Sequence, residues 1–164
     1  MTDETHAPKK QAMGNSVRFA HVNLVARDWK RLAAFYERVF ECTPVPPQRE
    51  LAGRWLDDAT SLADAQIRGM HLRLPGYGAS GPTLEIFEYR PSRPVLRAAT
   101  NRPGFAHIAF AVADVPAARD AVLAAGGGGV GELVTVDIPE AGRITFAYVT
   151  DPEGNVIELQ KWSQ

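Results

Sequence analysis

The sequence predicts an α+β fold, built as tandem βαβββ modules forming a curved sheet around a central cavity. Three observations carry this expectation. FAHVNLVARD at residues 19–28 lies over FAHIAFAVAD at residues 105–114, with Phe, Ala, His, a β-branched residue and a closing Asp coincident at one offset of 86 residues. Both segments run into a helical apolar pattern. TLEIF at 83–87 also matches VIELQ at 156–160, at an offset of 73, and each run places a Glu between apolar residues. Duplication of a unit with one helix and a short sheet implies two modules packed around shared space.

The elements follow in order. Residues 1–16 lack an apolar signal segment and read as a flexible N-terminal tail, in which His6 is incidental. The first module, 17–90, opens with the strand in 19–28. Asp28 then suits an N-cap, and Leu32, Phe35, Tyr36 and Val39 recur at helical spacing. A second strand falls near Val45 to Glu50, weakened by its prolines. The stretch PVPPQRELAGRWLDDATSL reads as loop and holds the 13 residues by which the first half exceeds the second. AQIRGMHLRL at 65–74 and TLEIF at 83–87 complete that half.

Residues 91–103 read as a linker, and the second module spans 104–162. After the strand in 105–114, Asp114 caps a helix with Pro116 in its first turn. Val115, Ala118, Val122 and Ala125 form the apolar stripe, and Gly126 closes it. Gly126 to Gly129 lacks the spacing of a phosphate loop and reads as a turn. Strands follow at 133–138, 144–149 and 156–160.

Composition excludes several classes. The chain has 164 residues, enough for one domain with a sizeable core. Its formal charge of -1 gives no electrostatic case for nucleic acid or a membrane surface. No apolar run approaches the roughly 18 residues a membrane span needs. The single Cys42 precludes an internal disulfide and fits a reducing, cytoplasmic location.

Alternation along the strands then singles out four side chains. His21, Glu85, His107 and Glu158 each lie opposite the apolar row that should pack on a helix. On a curled sheet all four converge on the concave side. Two imidazoles and two carboxylates in a partly apolar hollow call for a cation, and that donor set suits one divalent metal ion: Ni, Co, Zn, Mn or Fe. Asn23, Phe87, Tyr89, Phe105 and Ala109 share the face and should line the substrate cavity. Trp55 and His71 are secondary candidates, and His71 reads first as a hydrogen-bonded strand histidine. Arg90, Arg93, Arg97 and Arg102 read as solvated arginines of the connector.

The strand with His21, the capped helix containing FYERVF and the DPEGNVIEL ending resemble the vicinal oxygen chelate superfamily. That group includes glyoxalase I, methylmalonyl-CoA epimerase, extradiol dioxygenases and the bleomycin- and fosfomycin-resistance proteins. The resemblance covers about residues 17–162 and implies paired βαβββ modules, with ligand positions at His21, Glu85, His107 and Glu158. The ligand set is most similar to that of glyoxalase I and the epimerase. Val25 and Tyr89 stand where glyoxalase I has the Arg and Asn that serve glutathione, so the sequence leans away from that thiol.

The activity this implies is a metal-dependent lyase or isomerase. It would remove a proton beside the metal-bound carbonyl of a small thioester, hemithioacetal or related substrate, with Glu85 or Glu158 as base. A ring-cleaving extradiol-type dioxygenase and a drug- or metabolite-binding resistance protein without catalysis are the alternatives. A homodimer is implied by the resemblance alone.

Overall fold

The computed structural model describes residues 17–94 and 99–163. The expected tail, with His6, and the connector's Arg97 lie outside the described residues. The first half runs β1 (His21–Val25), α1 (Trp29–Phe40), β2 (Thr43–Ala52), α2 (Arg54–Thr60), β3 (Gln66–Arg73) and β4 (Thr83–Arg90). The second runs β5 (His107–Ala111), α3 (Val115–Ala124), β6 (Gly128–Gly129), β7 (Val134–Ile138), β8 (Gly142–Thr150) and β9 (Val156–Ser163). The α+β class and the repeat are as the sequence predicts. The two modules make two separate curved sheets.

Local chemistry explains the helices. Asp28 accepts from the Arg31 backbone N–H at 3.0 Å and caps α1, while Leu32, Phe35 and Tyr36 fall on its buried face. α3 repeats the device: Asp114 accepts from the Ala117 N–H at 2.8 Å, and Pro116 occupies the first turn, where its missing N–H costs nothing.

Two expectations change. The stretch at 44–62, read largely as loop, contains most of β2 and all of α2. β2 carries Pro44, Pro46 and Pro47 because it is the outer strand of its sheet, where one edge has no ladder to complete. The glycines at 126–129, read as a turn, include β6, which pairs Gly128 and Gly129 with Thr150 and Val149. A Cβ at Gly127 would meet the Thr150 carbonyl, so the close approach of helix end and strand needs glycine there.

The first sheet has the order β1-β4-β3-β2 and the second β5-β9-β8-β6, with β7 also on β8. In both, the strand bearing His runs parallel to the strand bearing Glu. His21 is level with Thr83 and Asn23 with Glu85; His107 is level with Val156 and Ala109 with Glu158. The duplication seen in sequence is thus also a duplication of register.

One hydrophobic core serves both halves. Leu72, Leu84 and Ile86 of the first sheet join Ala147, Val149, Ile157 and Leu159 of the second, with the buried faces of α1 and α3. Phe40 of α1 stacks on Phe110 of β5 with ring centroids 4.1 Å apart. A smaller cluster of Leu56, Ala65, Ile67 and Phe87 seats α2 on the opposite face of the first sheet.

Candidate functional site

Each half presents an imidazole–carboxylate pair on the face of its sheet away from the shared core. In the first, His21 Nδ1 lies 3.4 Å from Glu85 Oε1, and His71 Nδ1 lies 3.3 Å from the same oxygen. The Glu85 carboxylate sits between two imidazoles and is 11% exposed. In the second, His107 Nε2 lies 3.1 Å from Glu158 Oε2.

Register explains why these side chains meet, since residues level across neighbouring strands share a face. Asn23, Glu85 and His71 are level across β1, β4 and β3. Ala109, Glu158 and Tyr148 are level across β5, β9 and β8. His71 and Tyr148 therefore occupy equivalent places, each beside its carboxylate. Tyr148 is the residue sequence reasoning missed. Its signal was available: His71 precedes Glu85 by 14 residues and Tyr148 precedes Glu158 by 10, both even numbers across a hairpin. The differing hairpin lengths break the fixed offset that a repeat search follows.

Electrostatics distinguish the two. Burial pushes the His71 imidazole down, against the raising charge of Glu85; Arg49 and His21 add to the lowering. Burial pushes the Tyr148 phenol up, and its hydrogen bond to Glu158 and the charge of that carboxylate add to the shift. The His107 and Tyr148 rings lie 5.2 Å apart, and His71 meets Phe87 edge-on at 5.6 Å.

The remaining sequence candidates divide. Asn23 is beside Glu85, its Nδ2 donating to the Glu85 backbone carbonyl at 3.4 Å. Phe87 is buried and Tyr89 packs against the cluster under α2, so they form a floor of the first site face. Phe105, just before β5, and Ala109, within it, are exposed. Trp55 is exposed on α2. Arg90, Arg93 and Arg102 are exposed, as expected of the connector.

The structure does not gather all four predicted ligands at one point. Among the described residues, no three His, Cys, Asp or Glu side chains are placed to hold a metal ion. The shared core is the reason. Because the faces of the two sheets that carry α1 and α3 meet in it, the two site faces lie on the sides away from it. The largely polar cavity of about 320 Å³ lined by Asp28, Trp29, Lys30, Glu50, Arg68 and Glu88 also lies at the helix-bearing side.

The site face of the second sheet is apolar and open. Cross-strand pairing puts Val134, Val136, Ile144, Phe146, Tyr148 and Trp162 on it with Glu158. Val134, Val136 and Ile138 are each about 40% exposed, and all five residues of β7 are exposed.

A family model described as the glyoxalase/bleomycin resistance protein/dioxygenase superfamily matches residues 18–159, both halves and both pairs. The chain belongs to this superfamily. Solved structures agree on the fold of this superfamily member. A glyoxalase family protein from Bacillus cereus superposes with a TM-score of 0.77 at 18% identity, covering 93% of this chain and 99% of that one. A glyoxylase/bleomycin resistance protein/dioxygenase domain from Frankia gives 0.55 at 19% identity, covering 90% and 98%. A glyoxalase/bleomycin resistance protein/dioxygenase family enzyme from Burkholderia phytofirmans gives 0.53 at 16% identity, covering 88% and 98%. Comparison with curated protein sequences finds no match. No helix among the described residues is long and apolar enough to cross a membrane.

Proposed function

We propose that the chain is a metal-dependent lyase or isomerase acting on a small thioester, hemithioacetal or related carbonyl substrate, and that it works in the cytoplasm as a homodimer. The observation that carries this reading is the repeated pair: an imidazole and a carboxylate in matching register in both halves, each carboxylate with a further partner beside it. Chance alternation on strands does not place the same two chemistries at the same register twice.

The donor set suits one divalent ion, Ni, Co, Zn, Mn or Fe, since neutral imidazole nitrogen and carboxylate oxygen are borderline-to-hard ligands. A single pair supplies two donors, fewer than the four a tetrahedral ion takes. Both pairs are needed, so His21 and Glu85 of one copy would face His107 and Glu158 of a second. The open apolar face around Glu158 is the surface such a copy would cover. When bound, the ion would polarise the substrate carbonyl and stabilise the negative charge that develops there.

The chain's own residues do the rest. Glu85 or Glu158 accepts the proton from the carbon beside the carbonyl, and the same carboxylate returns it. His71 and Tyr148 orient the two carboxylates. Asn23, Phe105 and Ala109 contact the substrate, and Phe87 and Tyr89 close the floor against water.

The test is cobalt uptake followed by solvent exchange. Purified protein stripped of metal should bind about one Co²⁺ per pair of sites and then catalyse deuterium incorporation into a thioester or hemithioacetal. No uptake and no exchange, with retained binding of small metabolites, would make it a binding protein. Oxygen consumption with catechols would make it a ring-cleaving dioxygenase.

A further inference from the structure

The DPEGN stretch at 151–155 reaches out of its own half. Glu153 Oε1 accepts from the backbone N–H groups of Arg27 at 3.0 Å and Asp28 at 2.9 Å, and its Oε2 accepts from Arg27 Nε at 3.0 Å. Asp151, buried, accepts from the Tyr36 hydroxyl of α1 at 3.0 Å. The same Asp151 shapes its turn, accepting from the Glu153 and Asn155 backbones at 2.9 and 3.0 Å and from Asn155 Nδ2 at 2.8 Å. Four hydrogen bonds accepted by two carboxylates thus join the two halves at one turn.

The positions of these bonds matter more than their number. Arg27 and Asp28 form the corner that directly follows β1, the strand of His21. Residues 151–155 form the turn that directly precedes β9, the strand of Glu158. The corresponding first-half turn between β3 and β4, PGYGASGP at 75–82, contains no carboxylate, so it has no counterpart of Asp151 or Glu153. Glu153 also serves the helix: it takes up the N–H of the very residue, Asp28, whose side chain caps α1.

We propose that Glu153, seated by Asp151, is a positioning residue that fixes the angle between the two halves and so the relative placement of the His21–Glu85 and His107–Glu158 pairs. Two of the three Glu153 bonds go to backbone N–H groups, which hold the corner itself, and one goes to a side chain. Loss of the Glu153 carboxylate therefore frees the corner, whereas loss of the Arg27 side chain leaves it seated. The consequence for metal binding rests on the function proposed above; the mechanical claim does not.

The experiment measures both separately in the full-length chain. Spin labels at Asp58 of α2 and Asp120 of α3, both exposed, report the distance between halves in a Cys42→Ala background diluted with unlabelled protein. The parent should give one narrow distribution. Glu153→Ala should at least double its width, Glu153→Gln should fall between, and Arg27→Ala should match the parent. Cobalt affinity should follow the same ranking, falling about 10-fold or more in Glu153→Ala. A parent-like width in Glu153→Ala, or equal broadening in Arg27→Ala and Glu153→Ala, overturns the proposal. Should Glu153→Ala fail to fold, Glu153→Gln combined with Tyr36→Phe decides by the same measure. If the parent binds no cobalt, the metal reading fails while the distance widths still judge the clamp.

Discussion

At the residue scale the two carboxylates are alike in register and different in company. Glu85 lies between His21 and His71, while Glu158 lies between His107 and a phenol. Glu158→Gln removes an anionic donor yet keeps the shape, so metal content and turnover should fall together; parent-like occupancy and rate in that variant would defeat the assignment. Tyr148→Phe leaves the donors in place and removes only the orienting hydroxyl. Cobalt affinity should drop about 10-fold, the scale of losing an outer hydrogen bond to a ligand, as read by the visible absorption of the bound ion. Cys42 shows how burial silences a reactive type. Burial, then the charge of Glu37, pushes its thiol up to about 12. A thiol reagent at pH 8 should label the unfolded chain and leave the folded one unmodified for hours.

At the element scale, stability concentrates where strands and turns touch other elements. A Cβ added at Gly69 of β3 would collide with the Ile86 carbonyl and the Phe87 ring on β4. Gly69→Ala should destabilise by about 1–3 kcal/mol through forced strand displacement, measurable as a lower denaturant midpoint. The turn at 151–155 adds a pH dependence. Burial raises the Glu153 carboxyl, but its bonds from Asp28 and Arg27 outweigh that and hold it below its usual value of 4.5. The clamp's contribution is therefore complete above pH 4.5 and lost as pH falls through the lower folded-state value. Asp151 works the other way, because burial raises it. Glu153→Gln should accordingly narrow the difference in melting temperature between pH 6 and pH 3; an unchanged difference would count against the clamp as an ionised group.

At the scale of the whole molecule, the proposed reading has a second copy cover the open face around Glu158. Sedimentation should show a dimer, and Val136→Asp on β7 should give a folded monomer that no longer takes up cobalt. A monomeric parent with full uptake would remove the dimer from the proposal. Much of the fold was legible in the sequence: the duplication, the capped helices α1 and α3, the strand faces and the matching places of His21 with His107 and Glu85 with Glu158 follow from alternation and offset. α2 was not legible, because a helix of 7 residues between Gly53 and Ser61 is too short to show a period. Tyr148 was hidden by the four-residue difference between hairpins, and DPEGN read as a turn without any sign of what it grips.

The division has one physical cause. Periodicity and capping act over a few residues, so the amino-acid sequence by itself determined the duplication, the capped helices α1 and α3, and which side chains each sheet turns away from them. The relation between the modules depends on contacts far apart in the chain, such as Phe40 on Phe110 and Tyr36 on Asp151. Only the tertiary structure decided that these bury the α1- and α3-bearing faces together, leaving two imidazole–carboxylate pairs on separate faces in place of one enclosed set of four.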